Sequence, residues 1–315
     1  MLRILIRNEL FKIFKKKKTF FFGFLLIASC IIYALVAHKY DQSQGVDWLA
    51  SSEAQLEYFQ NYIENPEGME ADELQNIKKQ NACVEYALNN NISTIYITCY
   101  WKAVLGSMDM MIIAVVLIII LVSDLFCEEY SVKTLKMLFV RPNKRGDIWL
   151  SKIISASIMF VIYSLLIVIT SLLIHMFLYD IGQSNQFVVY MSADGVVEKK
   201  HYIIYFLQQY LCSLLEGAGY IFLTAMCAVA FKNAAAATTV SLIGVMGANT
   251  IIAFLEEKTE WVKYVLFYNN DLSQYLNGET TYWHTTVPFS IIVTIVYYAI
   301  FLVCSRLIFT KREVY

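Results

Sequence analysis

Charge is what this sequence has least of. Asp, Glu, Lys and Arg make up 16% of its 315 residues, against about 25% in soluble domains, which argues against a chain folded wholly in water. Its four histidines, His38, His175, His201 and His284, are scattered. None stands beside a nucleophile and an orienting acid, so no hydrolytic triad is expected. No G-x-x-x-x-G-K-[ST] stretch occurs, which excludes a phosphate loop. No C-x-x-C pair or Cys/His spacing suggests a metal. The expectation is a chain with no catalytic residue, no metal, no cofactor of its own and no nucleic-acid partner.

Apolar residues are what it has in excess, at 58%. They are gathered into uninterrupted blocks about as long as a hydrocarbon core requires, roughly 17–25 residues each. The blocks predict spans at Phe20 to Ala37, Ala103 to Ser123, Ile153 to Leu178, Tyr205 to Phe231, Ala235 to Phe254 and Val287 to Phe309. The fold class read from them is an all-α membrane protein with six transmembrane helices. The first span reads as retained, because no A-x-A cleavage stretch follows it before His38.

The net charge of −1 conceals an asymmetry. The first 18 residues carry Arg3, Arg7, Lys12 and Lys15 to Lys18 against Glu9 alone, whereas Lys39 to Tyr100 holds ten acidic residues and three lysines. Cations near span ends favour the cytoplasmic side. The N-terminus, Lys133 to Lys152, Lys232, and Lys311 with Arg312 are therefore expected inside, and the acidic loop 39–100 outside. The expected location is a bacterial plasma membrane, crossed several times with both termini cytoplasmic. Residues 1–18 repeat Leu2, Ile6, Leu10, Ile13 and Phe14 at helical spacing opposite a cationic face, the pattern of an interfacial helix held to anionic membrane lipids.

Within 39–100, Leu56, Phe59 and Ile63 and then Leu74, Ile77 and Val84 predict a small helical cap. Cys83 and Cys99 fall in this loop, where a disulfide and two free thiols are both open. Phe187 to Met191 alternates and is followed by Val196 and Val197, predicting a hairpin that turns at Ala193, Asp194 and Gly195. Segment 255–285, with Trp261, Val262, Val265, Leu266 and Phe267, is too short to span and too apolar for open solvent. It reads as re-entrant or interfacial.

The segment between the second and third spans, 124–147, is the most informative. It predicts an amphipathic helix from about Glu128 to Val140, stopped before Pro142, with acids at its start and Lys133 and Lys136 toward its end. This segment resembles the permease subunits of the type-2 ATP-binding-cassette (ABC) exporter family, whose loop reads E-Y-S-x-G-T-x-x-x-L-L-x-x-P-x-x-R before a small residue and Lys. Glu129, Tyr130, Ser131, Thr134, Leu138, Pro142, Arg145, Ser151 and Lys152 match it, while Lys133 stands where Gly is usual. The resemblance implies a homodimeric half-transporter (residues 19–315) with a coupling helix seated on an ATPase, one copy per permease chain, that supplies ATP and Mg²⁺ chemistry in trans. It assigns ATPase coupling to Glu128, Glu129, Thr134, Leu138, Pro142 and Arg145.

Polar residues inside spans add a second set of candidates, since each is costly there unless partnered or wetted. Glu216, Gln208, Gln209 and Asp109 read either as the lining of a translocation path or as interhelical hydrogen-bond partners. Ala236, Val240, Gly244 and Ala248 form a stripe in the fifth span, mostly of small residues, that suits close helix approach; it reads equally as a dimer seam or as packing within one chain. The expected cargo is amphipathic, with a toxin-like or antimicrobial peptide foremost and a drug as the alternative. The rival functions are an ion-coupled carrier, against which the absence of internal repeats speaks, and a membrane sensor or immunity protein that moves nothing.

Overall fold

The computed structural model describes residues 2–44, 48–66, 71–92, 100–131, 144–179, 186–191, 195–256, 258–277, 283 and 285–311. Helices dominate these residues because a chain surrounded by hydrocarbon must satisfy every backbone polar group internally. Helix α1 is Leu2–Lys15 and α2 is Lys17–Gln44. Outside the apolar belt follow α3 (Trp48–Glu64) and α4 (Ala71–Asn89). A short helix α5 (Tyr100–Gly106) and a 3₁₀ turn (Ser107–Met110) lead into α6 (Met111–Ser131). Then come α7 (Arg145–Leu178), β1 (Phe187–Met191), β2 (Val197–His201), α8 (Tyr202–Phe231) and α9 (Ala234–Glu256). After short pieces that include α10 (Leu266–Asn269), α11 (Val287–Lys311) closes the described chain.

Five helical segments are long and apolar enough to cross a membrane: α2, α5 with α6, α7, α8 and α11. The remaining apolar block, fifth in chain order, is α9, bent by 44° between Ala248 and Thr250. Gly244 and Gly247, weak helix formers, precede the bend. The chain is an all-α membrane-embedded protein carrying one small hairpin. The α5–α6 segment is its centre, with 67% of its most apolar stretch buried against 17% for α2 and 11% for α11. Around it pack α7, α8 and α9, while α2 and α11 present Phe20, Phe24, Ile32, Ile292, Ile295 and Val303 outward.

The N-terminal helix ends earlier than its periodicity suggests. Instead of one helix through Lys18, the chain breaks at Lys16, and Lys17 already begins α2. At the break the Thr19 hydroxyl donates to the Ile13 carbonyl over 2.7 Å, and Lys16 N–H donates to the same carbonyl at 3.2 Å. Both take an acceptor that a continuous helix would have used. A similar economy joins α8 to α9 in two residues. Lys232 takes a left-handed φ of 58°, and Asn233 Oδ1 accepts from Ala235 N–H at 2.9 Å, a C-terminal stop followed at once by an N-cap.

The segments between the apolar helices are ordered by local pairing. Helices α3 and α4 pack on each other, and α4 also touches both strands. β1 and β2 run antiparallel with Phe187 opposite His201 and Met191 opposite Val197. Gly195, at φ 76°, supplies the left-handed backbone the turn needs. Among the described residues, segment 258–277 forms two 3₁₀ turns (Glu260–Tyr264 and Ser273–Asn277) with α10 between them. It therefore folds as short pieces and not as one interfacial helix, with Val262, Leu266, Tyr268 and Asn269 buried beneath it.

Candidate functional site

The cationic N-terminal helix meets the rest of the bundle through its one acid. Glu9 is buried on α1, and its carboxylate receives Lys12 Nζ at 2.8 Å and Lys152 Nζ at 3.3 Å. Lys152, on the second turn of α7, is itself 1% exposed and donates to the Leu125 carbonyl of α6 at 2.9 Å. Its ammonium also stands 5.9 Å from the Phe126 ring centroid, close enough for attraction to the π face. Burial pushes the Glu9 carboxyl up, yet Lys152 and Lys12 together hold it below the ordinary carboxylate value. Three helices are thus tied at one point, since Ser155 of α7 also donates to the Ile6 carbonyl of α1 at 3.3 Å.

Two further ion pairs join the start of α2 to the end of α6: Lys16 with Glu128 and Lys18 with Asp124. On the other side, Arg145 opens α7 and donates to the Thr310 carbonyl of α11 at 3.2 Å. Trp149 Nε1 meets Ser305 Oγ of the same helix at 2.9 Å. The two roots of segment 132–143 are therefore bolted to α1, α2 and α11. Of the predicted coupling residues, Glu128 belongs to the last turns of α6, continuous from the second span, and so does the backbone of Glu129. Thr134, Leu138 and Pro142, with most of the helix expected from Glu128 to Val140, lie outside the described residues.

The predicted path residues do not assemble as one site. Glu216 is half-buried midway along α8. Asn270 Nδ2 donates to its backbone carbonyl at 3.5 Å, and the Tyr298 hydroxyl of α11 stands 2.7 Å from Leu215 O and 2.8 Å from Asn270 Oδ1. The Glu216 carboxyl accepts no hydrogen bond among the described residues. Gln208 instead accepts from Lys200 Nζ of the hairpin at 3.0 Å. Asp109 is exposed on the 3₁₀ turn, and no bond or ion pair joins it to Glu216 among the described residues. Sequence reasoning passed over Asn269 and Asn270, which are buried. Their run Asn269-Asn270-Asp271 after an apolar Leu266-Phe267 was the available signal.

Close approach around Glu216 depends on its neighbours. A Cβ at Gly217 would lie 2.1 Å from Phe160 of α7, and one at Gly219 would lie 2.5 Å from Tyr298. In α9, Gly244 faces Phe267 and Leu223 of the same chain, Ala248 is buried, Val240 is 43% exposed, and Ala236 is half-buried. The inner part of that stripe thus packs within the subunit. Cys83 is a half-buried free thiol on α4; Cys99 lies outside the described residues. Among the described residues no group of His, Cys, Asp and Glu could hold a metal ion.

Residues 73–315 match the family described as "Protein of unknown function (DUF2705)". The chain belongs to the DUF2705 family. It is 25% identical, over 98% of each chain, to the "Uncharacterized protein YhcI" of Bacillus subtilis (strain 168). It is also 27% identical to the "Uncharacterized membrane protein YdbK" of the same organism, over 63% of this chain and 76% of that one. The second relative is described as a membrane protein, in keeping with the apolar helices here.

Proposed function

We propose that this chain is the transmembrane permease subunit of an ATP-driven exporter of the type-2 ABC kind. In this reading it crosses a bacterial plasma membrane six times, the bent α9 being the fifth span, with α1 along the inner interface and both termini inside. Two copies pair. Each binds a separate ATP-binding chain, where ATP and Mg²⁺ are held, and the pair exports an amphipathic cargo, foremost a toxin-like peptide.

The observation that carries the reading is the ionic clamp at the roots of segment 132–143. A loop that only linked two spans would need no buried charges. Here the buried Glu9–Lys152 pair ties the α7 root to α1, and the more exposed pairs Lys16–Glu128 and Lys18–Asp124 tie the α6 root to the α1–α2 junction, so a push on the loop would move several helices together. That is what a coupling element must do, and it agrees with the motif from Glu129 to Lys152 and with the lack of a phosphate loop in this chain.

The test is purification of the tagged full chain from its native membranes. An ATP-binding chain is expected to copurify in equal number and to supply vanadate-sensitive hydrolysis. Glu129→Lys should release it while leaving the permease folded. A chain that comes alone under mild extraction, or that hydrolyses ATP by itself, would overturn the reading.

A further inference from the structure

Beside the clamp, the start of α7 and the end of α11 frame a groove that none of these contacts fills. It holds about 400 Å³ and is lined by Lys144, Gly146, Asp147, Val303, Arg306 and Leu307, among others. This volume lies in the range of small-ligand sites, roughly 300–1,000 Å³. Two cations reach it. Among the described residues, neither Lys144 nor the Arg306 guanidinium makes a hydrogen bond or ion pair, in contrast to Arg145 next door, which is spent on Thr310. Arg306 lies flat over Gly146, where an added Cβ would stand 3.5 Å from Nη2. Asp147 is the acid of the lining, so two cations and one carboxylate leave it at +1. Val303 and Leu307, one helical turn apart and 54% and 46% exposed, form the wall that continues onto the outward apolar face of α11.

We propose that this groove binds the headgroup of an anionic phospholipid of the phosphatidylglycerol class, drawn from the leaflet that this end of the bundle meets. The phosphate sits between Lys144 and Arg306, whose fork suits phosphate oxygens. The glycerol hydroxyls donate to Asp147, and an acyl chain runs along Val303 and Leu307. A lipid of charge −1 balances a lining of +1. Phosphatidylcholine would set a donor-free trimethylammonium against Asp147 and leave one cation uncompensated. The proposal rests on the groove and not on the exporter reading.

Native mass spectrometry of the full chain in neutral detergent, titrated with phosphatidylglycerol and separately with phosphatidylcholine, tests it. The unaltered chain should retain phosphatidylglycerol about thirtyfold better, in keeping with about 1 kcal/mol for each of two basic groups near an anionic surface. Lys144→Gln with Arg306→Gln should abolish that preference, and Lys78→Gln on α4 should keep it. In a third titration with phosphatidic acid, which lacks the headgroup glycerol, the unaltered chain should prefer phosphatidylglycerol and Asp147→Asn should narrow that preference. The proposal falls if the unaltered chain does not distinguish phosphatidylglycerol from phosphatidylcholine, a measurement that needs no variant to fold. It falls equally if the double variant keeps the preference, or if free glycerol phosphate competes as well as the lipid does, which would mark a soluble phosphate site.

Discussion

Around α1 the buried polarity of this protein is ionic, whereas around α10 it is neutral. Glu9 and Lys152 meet as charges at 6% and 1% side-chain exposure. Asn269 is as deeply buried, yet its amide donates to the Lys263 and Val265 carbonyls at 2.7 and 2.9 Å and accepts from Ser290 Oγ at 2.7 Å. Thr294 donates to its backbone carbonyl at 3.2 Å, and Tyr275 extends the chain of hydroxyls through Ser290. The difference follows from what each region must hold. Between whole helices, a charge pair chooses one register and penalises every other, because a lone buried charge is far costlier than a lone amide. The short pieces near α10 have many unpaired backbone carbonyls, and an amide can satisfy several of them at once.

The largest effect is expected where the ionic side is broken. Lys152→Met leaves Glu9 buried without its main partner and should cost about 3–5 kcal/mol of stability in detergent unfolding. Adding Glu9→Leu should restore much of the loss. If the single variant costs no more than an exposed pair would, the two regions do not differ as described. On the neutral side, Asn269→Leu removes the side-chain donor from two carbonyls and one of the two partners of Ser290, and should cost about 1–3 kcal/mol. The same unfolding assay measures it, and an increase in stability would show that the amide network is not what holds α10.

Acid separates the regions further. Glu9 has a folded pKa below its ordinary value of 4.5, so the stability it contributes is fully present above that value and is lost as pH falls through the lower folded one. Unfolding midpoints taken downward from pH 5 should therefore drop in the unaltered chain, and the part of the drop due to Glu9 should vanish in Glu9→Gln. An identical acid profile for the two chains would remove Glu9 from the account. The smallest effect belongs to the exposed pairs. Lys16→Gln should change stability by about 0.5 kcal/mol or less, since solvent screens Glu128 at 51% exposure.

Much of the architecture could be read from the sequence, because apolar runs and alternation are local signals. The runs anticipate α2, α6, α7, α8 and α11, and the alternation at Phe187 to Met191 anticipates the hairpin, though not its register, while the expected turn residues Ala193 and Asp194 lie outside the described residues. Contacts between distant residues left no such mark. Glu9 stood out as the single acid in a cationic helix, and Lys152 as part of a motif, but 143 residues separate them and only the folded bundle joins them. Asn269 and Asn270 resemble ordinary loop residues until the pieces around them close. Gly217 and Gly219 carry no signal of their own, since a missing Cβ acquires meaning from the ring placed against it. The stripe in α9 was legible as a close-approach surface, but which neighbour approached it depended on Phe267 and Leu223.

The two glycines on α8 have a mechanical consequence. At one level of the bundle, over three residues, α8 is gripped on one side by the ring of Phe160 and on the other by that of Tyr298. A rod gripped at a single height can tilt there while its ends sweep widest, so that level acts as a fulcrum. With Glu216 beside it, any rocking of α7, α8 and α11 that preserves the grip displaces the middle of the bundle least and its two mouths most. A modest angle set by the charged end would then be returned, with leverage, at the end that carries the hairpin.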